Sequence, residues 1–104
     1  MIQYTWKGVT NMLIDAISDA VLKIITKYSI KKVTLFGSRA EGTNHDDSDV
    51  DLIMEFRKPV SLITLSAIQI ELEEMLGVKV DIVHGPVMPD DLIEIRKEVV
   101  LYAA

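Results

Sequence analysis

Eight residues, DVDLIMEF (Asp49 to Phe56), constrain the fold more than any other stretch of this chain. Their polarity alternates with period two. In a strand, residues i and i+2 share a face. Val50, Leu52 and Met54 therefore point one way, and Asp49 and Asp51 point the other. A strand with one apolar face needs a layer to cover that face, so helices must pack against it. Aspartate is disfavoured in strands, and two on the uncovered face need a chemical reason.

The rest of the chain supplies the covering layer. Residues 11–29 (NMLIDAISDAVLKIITKYS) carry Leu13, Ile14, Ile17, Val21, Ile24, Ile25 and Tyr28 at helical spacing. Residues 32–36 (KVTLF) read as a short strand ended by Gly37. Gly37-Ser38 then opens a helical turn, Arg39-Ala40-Glu41, closed by Gly42. Thr43 to Ser48 is a loop. Pro59 marks a boundary. Residues 61–76 read as a second long helix, with Leu62, Leu65, Ile68, Leu72, Met75 and Leu76 as its stripe and Gly77 as C-cap. Residues 78–83 (VKVDIV) are a third strand. A last helix is expected from Pro89 or Asp90, with Leu92, Ile95 and Val99 on one side. This order predicts a two-layer α/β (α+β) domain, a small mixed sheet with helices mainly on one face, occupying residues 1–104 as a single domain. Residues 1–10 would form an arm tacked on by Trp6.

Composition narrows the functions. The net charge of −5, from 11 Lys+Arg against 16 Asp+Glu, argues against a broad nucleic-acid grip, which needs a basic face. It leaves room for a site that holds nucleotide phosphates through metal ions, because such a site needs local carboxylates. The chain has no cysteine, so no thiolate metal site is available. No apolar run approaches the roughly 18 residues of a membrane span, and the N-terminus lacks the apolar segment of a signal peptide. A cytoplasmic protein is expected.

Two carboxylates side by side repel, and at least one pKa rises unless a cation compensates. Mg2+ takes one or two protein carboxylates and completes its shell with water and phosphate oxygens. Asp81 repeats the pattern in VKVDIV, facing away from Val80 and Ile82. If the third strand pairs beside the second, Asp81 joins Asp49 and Asp51. Three carboxylates on one sheet face can hold two metals about 3.5–4 Å apart, an arrangement suited to phosphoryl displacement. Asp46 and Asp47 sit among turn residues and belong to the loop. The Gly37-Ser38 turn adds backbone N–H groups at a helix start, which bind anions, and a serine hydroxyl. Arg39 either neutralises a triphosphate or the acidic loop, or makes an ordinary surface pair with Glu41 or Asp47. His45 and His84 lack metal-ligand spacing.

GSRAEG (Gly37 to Gly42), followed after five residues by SDVDL (Ser48 to Leu52), and then VDIV (Val80 to Val83), resembles the signature of the minimal nucleotidyltransferases. These belong to the DNA polymerase β-like nucleotidyltransferase superfamily. The closing DDLIEIRKEVVLYA also resembles that family's last helix. The resemblance implies the nucleotidyltransferase core fold, with Gly37 and Ser38 holding the β- and γ-phosphates of ATP. Arg39 and Ser48 would complete the nucleotide site, and Asp49, Asp51 and Asp81 would bind two Mg2+ ions. Asp81 would also help deprotonate the attacking hydroxyl. Family members of this length include antitoxins that transfer AMP to a tyrosine of a HEPN-domain ribonuclease toxin, so such a toxin is the implied partner. Glu41 departs from the family, which often has a basic residue there.

Two other classes stay open. One is a binding-only module that masks its partner by contact. The other is a transferase acting on a small molecule in a pocket completed by another chain. On the second long helix, Ile63, Ala67 and Ile70 form an apolar strip opposite the main stripe. That strip is either a partner or homodimer surface or is buried under the arm or a neighbouring helix.

Overall fold

The computed structural model describes residues 14–45, 48–87 and 97–104. Its elements are α1 (Ile14–Leu22), β1 (Ile30–Phe36), α2 (Ser38–Glu41), β2 (Val50–Phe56), α3 (Leu62–Leu76), β3 (Val80–His84) and β4 (Val99–Ala103). The four strands form one mixed sheet in the order β3-β2-β1-β4. β2 runs antiparallel to β1 and parallel to β3, and β4 is antiparallel to β1. The expected α+β layering is present.

The alternation in β2 does what its pattern requires. Val50, Leu52 and Met54 are fully buried and join Val33 and Leu35 of β1 in one core cluster. Ile17, Ala20 and Val21 of α1 and Ile68 and Leu72 of α3 complete that cluster from the same side. Burying each such large aliphatic side chain contributes about 1.5–3 kcal/mol. The crossover from β2 to its parallel neighbour β3 is made by α3, as a parallel pair demands. Ser61 caps α3, its Oγ accepting from the Thr64 amide at 3.1 Å. Gly77 ends it in the left-handed region at φ 75°, its amide donating to the Glu73 carbonyl. The Glu73 carboxylate then accepts from the Val80 amide at 2.9 Å, tying the end of α3 to the start of β3.

Three expectations are corrected. Val99 does not belong to a last helix: Val99–Ala103 is a strand on the free edge of β1. VVLYA is rich in β-branched and aromatic residues, which suit a pleated surface, and β1 offers an unpaired edge. The expected last helix from Pro89 or Asp90 as far as residue 96 lies outside the described residues, as do the arm 1–10 and Trp6, and Lys97 and Glu98 belong to no helix or strand. The first helix is shorter than 11–29, and residues 11–13 also lie outside the described residues. After Leu22 the chain continues in tight turns, with Lys23 and Ile24 amides bonding three residues back, and it leaves through Ser29 at φ 55°. The consecutive β-branched residues Ile24, Ile25 and Thr26 weaken helix here, yet Ile24 stays in the core. Finally, the α3 stripe is narrower than its periodicity suggests. Ile68 and Leu72 are buried, but Leu62 is 80% exposed and Met75 is also exposed.

Candidate active site

β1 and β2 pair so that Phe36 stands opposite Asp51. The turn after β1 is thereby laid directly over the Asp51 side chain. Gly37 has φ 78° and ψ −159°, a conformation essentially restricted to glycine. A Cβ there would stand 2.4 Å from Asp51 Oδ2 and 3.2 Å from its Cγ. Two independent constraints, backbone conformation and contact distance, therefore select glycine at this position. α2 follows at once. The Ala40 and Glu41 amides both donate to the Gly37 carbonyl at 3.1 Å, and Gly42 closes the turn at φ 80°. Ser38 is the first residue of α2, where amides lack an intrahelical partner.

The parallel register sets Asp51 beside Asp81. The condition attached to Asp81, that the third strand pair with the second, is met. Asp51 reports this crowding electrostatically. Its carboxyl is pushed above the ordinary 3.8, first by burial, then by the charges of Asp81 and Asp49, while Lys79 pulls weakly the other way. Lys79 reaches Asp81 at 3.9 Å with both side chains exposed, a contact of little energetic value. Asp49 stands one residue ahead of β2, partly exposed. Among the described residues, no three carboxylate or imidazole side chains converge tightly enough to enclose an ion by themselves. What is present is one sheet face bearing neighbouring carboxylates, with the glycine-serine turn packed on it.

Arg39 is not a surface residue. It is 4% exposed, and its Nε and Nη2 donate to the Ser48 carbonyl at 3.2 and 2.9 Å. Ser48 is engaged with the loop backbone, its Oγ accepting from the His45 amide at 2.7 Å. Glu41 and His45 are exposed. His84 stacks on Phe56 with ring centroids 5.6 Å apart. Asp46 and Asp47 lie outside the described residues. Sequence reasoning passed over Gly85, which is buried with its Cα against Ile53: a Cβ there would meet Ile53 Cγ2 at 2.7 Å. Its position between a histidine and a proline signals only a turn.

The model of the nucleotidyltransferase domain matches residues 17–102, most of the chain and every candidate residue above. This chain belongs to the nucleotidyltransferase domain family. It is accordingly an enzyme that uses a nucleotide substrate. A Methanocaldococcus jannaschii protein assigned as a protein adenylyltransferase is 37% identical over 71 residues, 68% of this chain and 76% of the relative. A solved structure assigned as a minimal nucleotidyltransferase is 37% identical, covers 67% of this chain and 71% of that one, and superposes with a TM-score of 0.59. The crystal structure of a toxin–antitoxin with AMP-PNP shares the fold of this nucleotidyltransferase, with a TM-score of 0.71 over 84% of this chain and 73% of that chain at 21% identity.

Proposed function

We propose that this nucleotidyltransferase transfers AMP from ATP to a hydroxyl of a partner protein, a tyrosine of a HEPN-domain toxin, and so acts as its antitoxin. The observation that carries the reading is the stacking of the Gly37-Ser38 turn on Asp51, with Asp81 in the adjacent register. The relative assigned as a protein adenylyltransferase and the toxin–antitoxin of the same fold support the class of acceptor.

The donor set suits hard cations. Asp51 is raised by burial and by two like charges, so a divalent ion in front of it would relieve a repulsion already present. Asp49, Asp51 and Asp81 would hold Mg2+, sharing it with phosphate oxygens of ATP. When bound, Mg2+ stabilises charge on the attacking and leaving oxygens. The chain's own groups do the rest. Gly37, lacking a side chain, lets the triphosphate approach the backbone. The Ser38 hydroxyl and the first amides of α2 donate to the β- and γ-phosphates. Asp81 accepts the proton of the acceptor hydroxyl. The acceptor oxygen then forms its bond to the α-phosphorus as the bond to pyrophosphate breaks.

The test is incubation of the protein with the product of the adjacent reading frame, Mg2+ and α-labelled ATP. Label should move to the partner and should not move with Asp49→Asn/Asp51→Asn. Absence of transfer to that partner and to a broader set of acceptors would count against the reading. A contact-only antitoxin is favoured by one observation, the exposure of Ile63 (82%) and Ile70 (54%) on α3. There, Ile63→Glu would abolish neutralisation while the double aspartate variant would retain it.

A further inference from the structure

We infer that Arg39 is a positioning residue that latches the backbone in front of Asp49, coupling the phosphate-binding turn to the carboxylate site. The inference rests on the reading of Asp49 as part of that site. Arg39 lies one residue beyond Ser38, in the same short α2. Its guanidinium is buried, which is costly unless its donors are used. They reach across the loop to the Ser48 carbonyl from both Nε and Nη2, and Nη2 also stands 3.5 Å from the His45 carbonyl. The loop closes on itself at the same two residues: the His45 amide donates to Ser48 Oγ, and the Ser48 amide donates to the His45 carbonyl at 3.1 Å.

The Ser48 carbonyl belongs to the peptide plane that contains the Asp49 amide, and that plane is rigid. Two hydrogen bonds from one guanidinium fork to its oxygen fix the plane from which Asp49 departs. On the far side, the Val50 amide donates to the Lys79 carbonyl at 2.9 Å, and its side chain is fully buried. Asp49 is thus clamped before and after, by α2 on one side and by the strand pairing of β3 on the other. The latch needs a planar fork with several donors. A lysine would keep the charge but lose the fork.

The experiment compares wild type with Arg39→Lys, Arg39→Ala and Ser48→Ala in AMP transfer to the partner, together with hydrogen exchange at the Ser48 and Val50 amides, which flank Asp49 and are hydrogen-bonded to the His45 and Lys79 carbonyls. In Arg39→Lys we expect kcat to fall by about 10- to 100-fold, as misplacement of a reacting group by about 1 Å does. The KM for ATP should be nearly unchanged, and the Ser48 and Val50 amides should exchange faster. Ser48→Ala should move both in the same direction by less. Added guanidinium should restore part of the Arg39→Ala activity. If Arg39→Ala does not fold, Arg39→Lys and Ser48→Ala still decide. A raised KM with unchanged kcat would make Arg39 a nucleotide ligand and overturn the latch. Wild-type kcat and exchange in Arg39→Lys would also overturn it. If Asp49→Asn is inactive while Arg39→Lys is unaffected, the latch alone fails. If Asp49→Asn transfers normally, the functional reading fails with it.

Discussion

Gly37→Ala tests the geometry on which the candidate site depends. Two costs add at this position. The backbone stands at φ 78° and ψ −159°, and a non-glycine residue there costs about 1–3 kcal/mol. The new methyl would also stand 2.4 Å from Asp51 Oδ2 and 3.2 Å from Cγ, so the carboxylate must rotate away or the turn must lift, an overpacking cost of about 1–3 kcal/mol. The sum is roughly 2–6 kcal/mol, a large share of the about 5–15 kcal/mol that holds a domain together. At roughly 4–8 °C per kcal/mol for a domain near this size, Tm should drop by at least about 8 °C. Gly42→Ala is the control. Gly42 also has positive φ, but nothing lies within 4 Å of a Cβ there, so only the left-handed cost of about 1–2 kcal/mol applies. A double-mutant cycle by urea denaturation separates the two parts. In an Asp51→Ala background the contact with Oδ2 and Cγ is gone, and the nearest remaining atom, Cβ, is at an ordinary 3.4 Å. The cost of Gly37→Ala should therefore shrink by about 1–3 kcal/mol, the coupling between them. A cost no larger than that of Gly42→Ala, or one unchanged without the Asp51 carboxylate, would refute the stacking of this turn on Asp51. AMP transfer by Gly37→Ala should also fall at temperatures where the protein remains folded, because the carboxylate has been displaced.

The other predictions concern charge, core and crossover. Asp51 holds its proton more tightly when folded than the ordinary 3.8, through burial and the charges of Asp81 and Asp49. Its ionisation therefore costs stability: the contribution is intact below the unfolded value and is lost as pH rises through the folded one. In chelator, Asp51→Asn should be more stable than wild type at pH 7, with the difference narrowing toward acid; parallel pH curves would contradict this. Ile68→Ala should cost about 2–5 kcal/mol, whereas Leu62→Ala, on the same helical stripe but exposed, should stay within about 0.5 kcal/mol; equal costs in chemical denaturation would restore the broad stripe. Glu73→Ala should cost about 1–3 kcal/mol by leaving the Val80 amide without its acceptor, and Glu73→Gln, which keeps an acceptor oxygen, should recover most of that; equal losses would argue that the carboxylate charge matters instead.

The boundaries of α3 were legible because local signals mark them: Ser61 and Gly77 act through residues a few positions away. The facing of β2 was equally legible, since strand alternation is a property of the strand itself. What depended on distant pairing was not. In EVVLYA the apolar residues fit a helical stripe or a strand, and the free edge of β1 decided for strand. Leu62 and Met75 lie at the two margins of the stripe whose middle is Ile68 and Leu72, and periodicity does not say how wide a strip of the helix the sheet covers. The aspartates on the face opposite Val50, Leu52 and Met54 could be read from the pattern, but the neighbouring positions of Asp51 and Asp81 required β3 to run parallel beside β2. Arg39 was the least legible. Its burial and its hydrogen bonds to the Ser48 and His45 backbone carbonyls are features that no side-chain pattern reveals.

The central claim is that the carboxylate face beneath Gly37-Ser38 transfers AMP to a partner protein. Its most direct test is the intact mass of the partner toxin after co-expression with this chain. Wild type should leave the partner heavier by one or more AMP groups, with the added mass on a tyrosine, and Asp49→Asn/Asp51→Asn should leave it unmodified while remaining folded. A partner that is neutralised yet unmodified by wild type, or one equally modified beside the double variant, would contradict the claim.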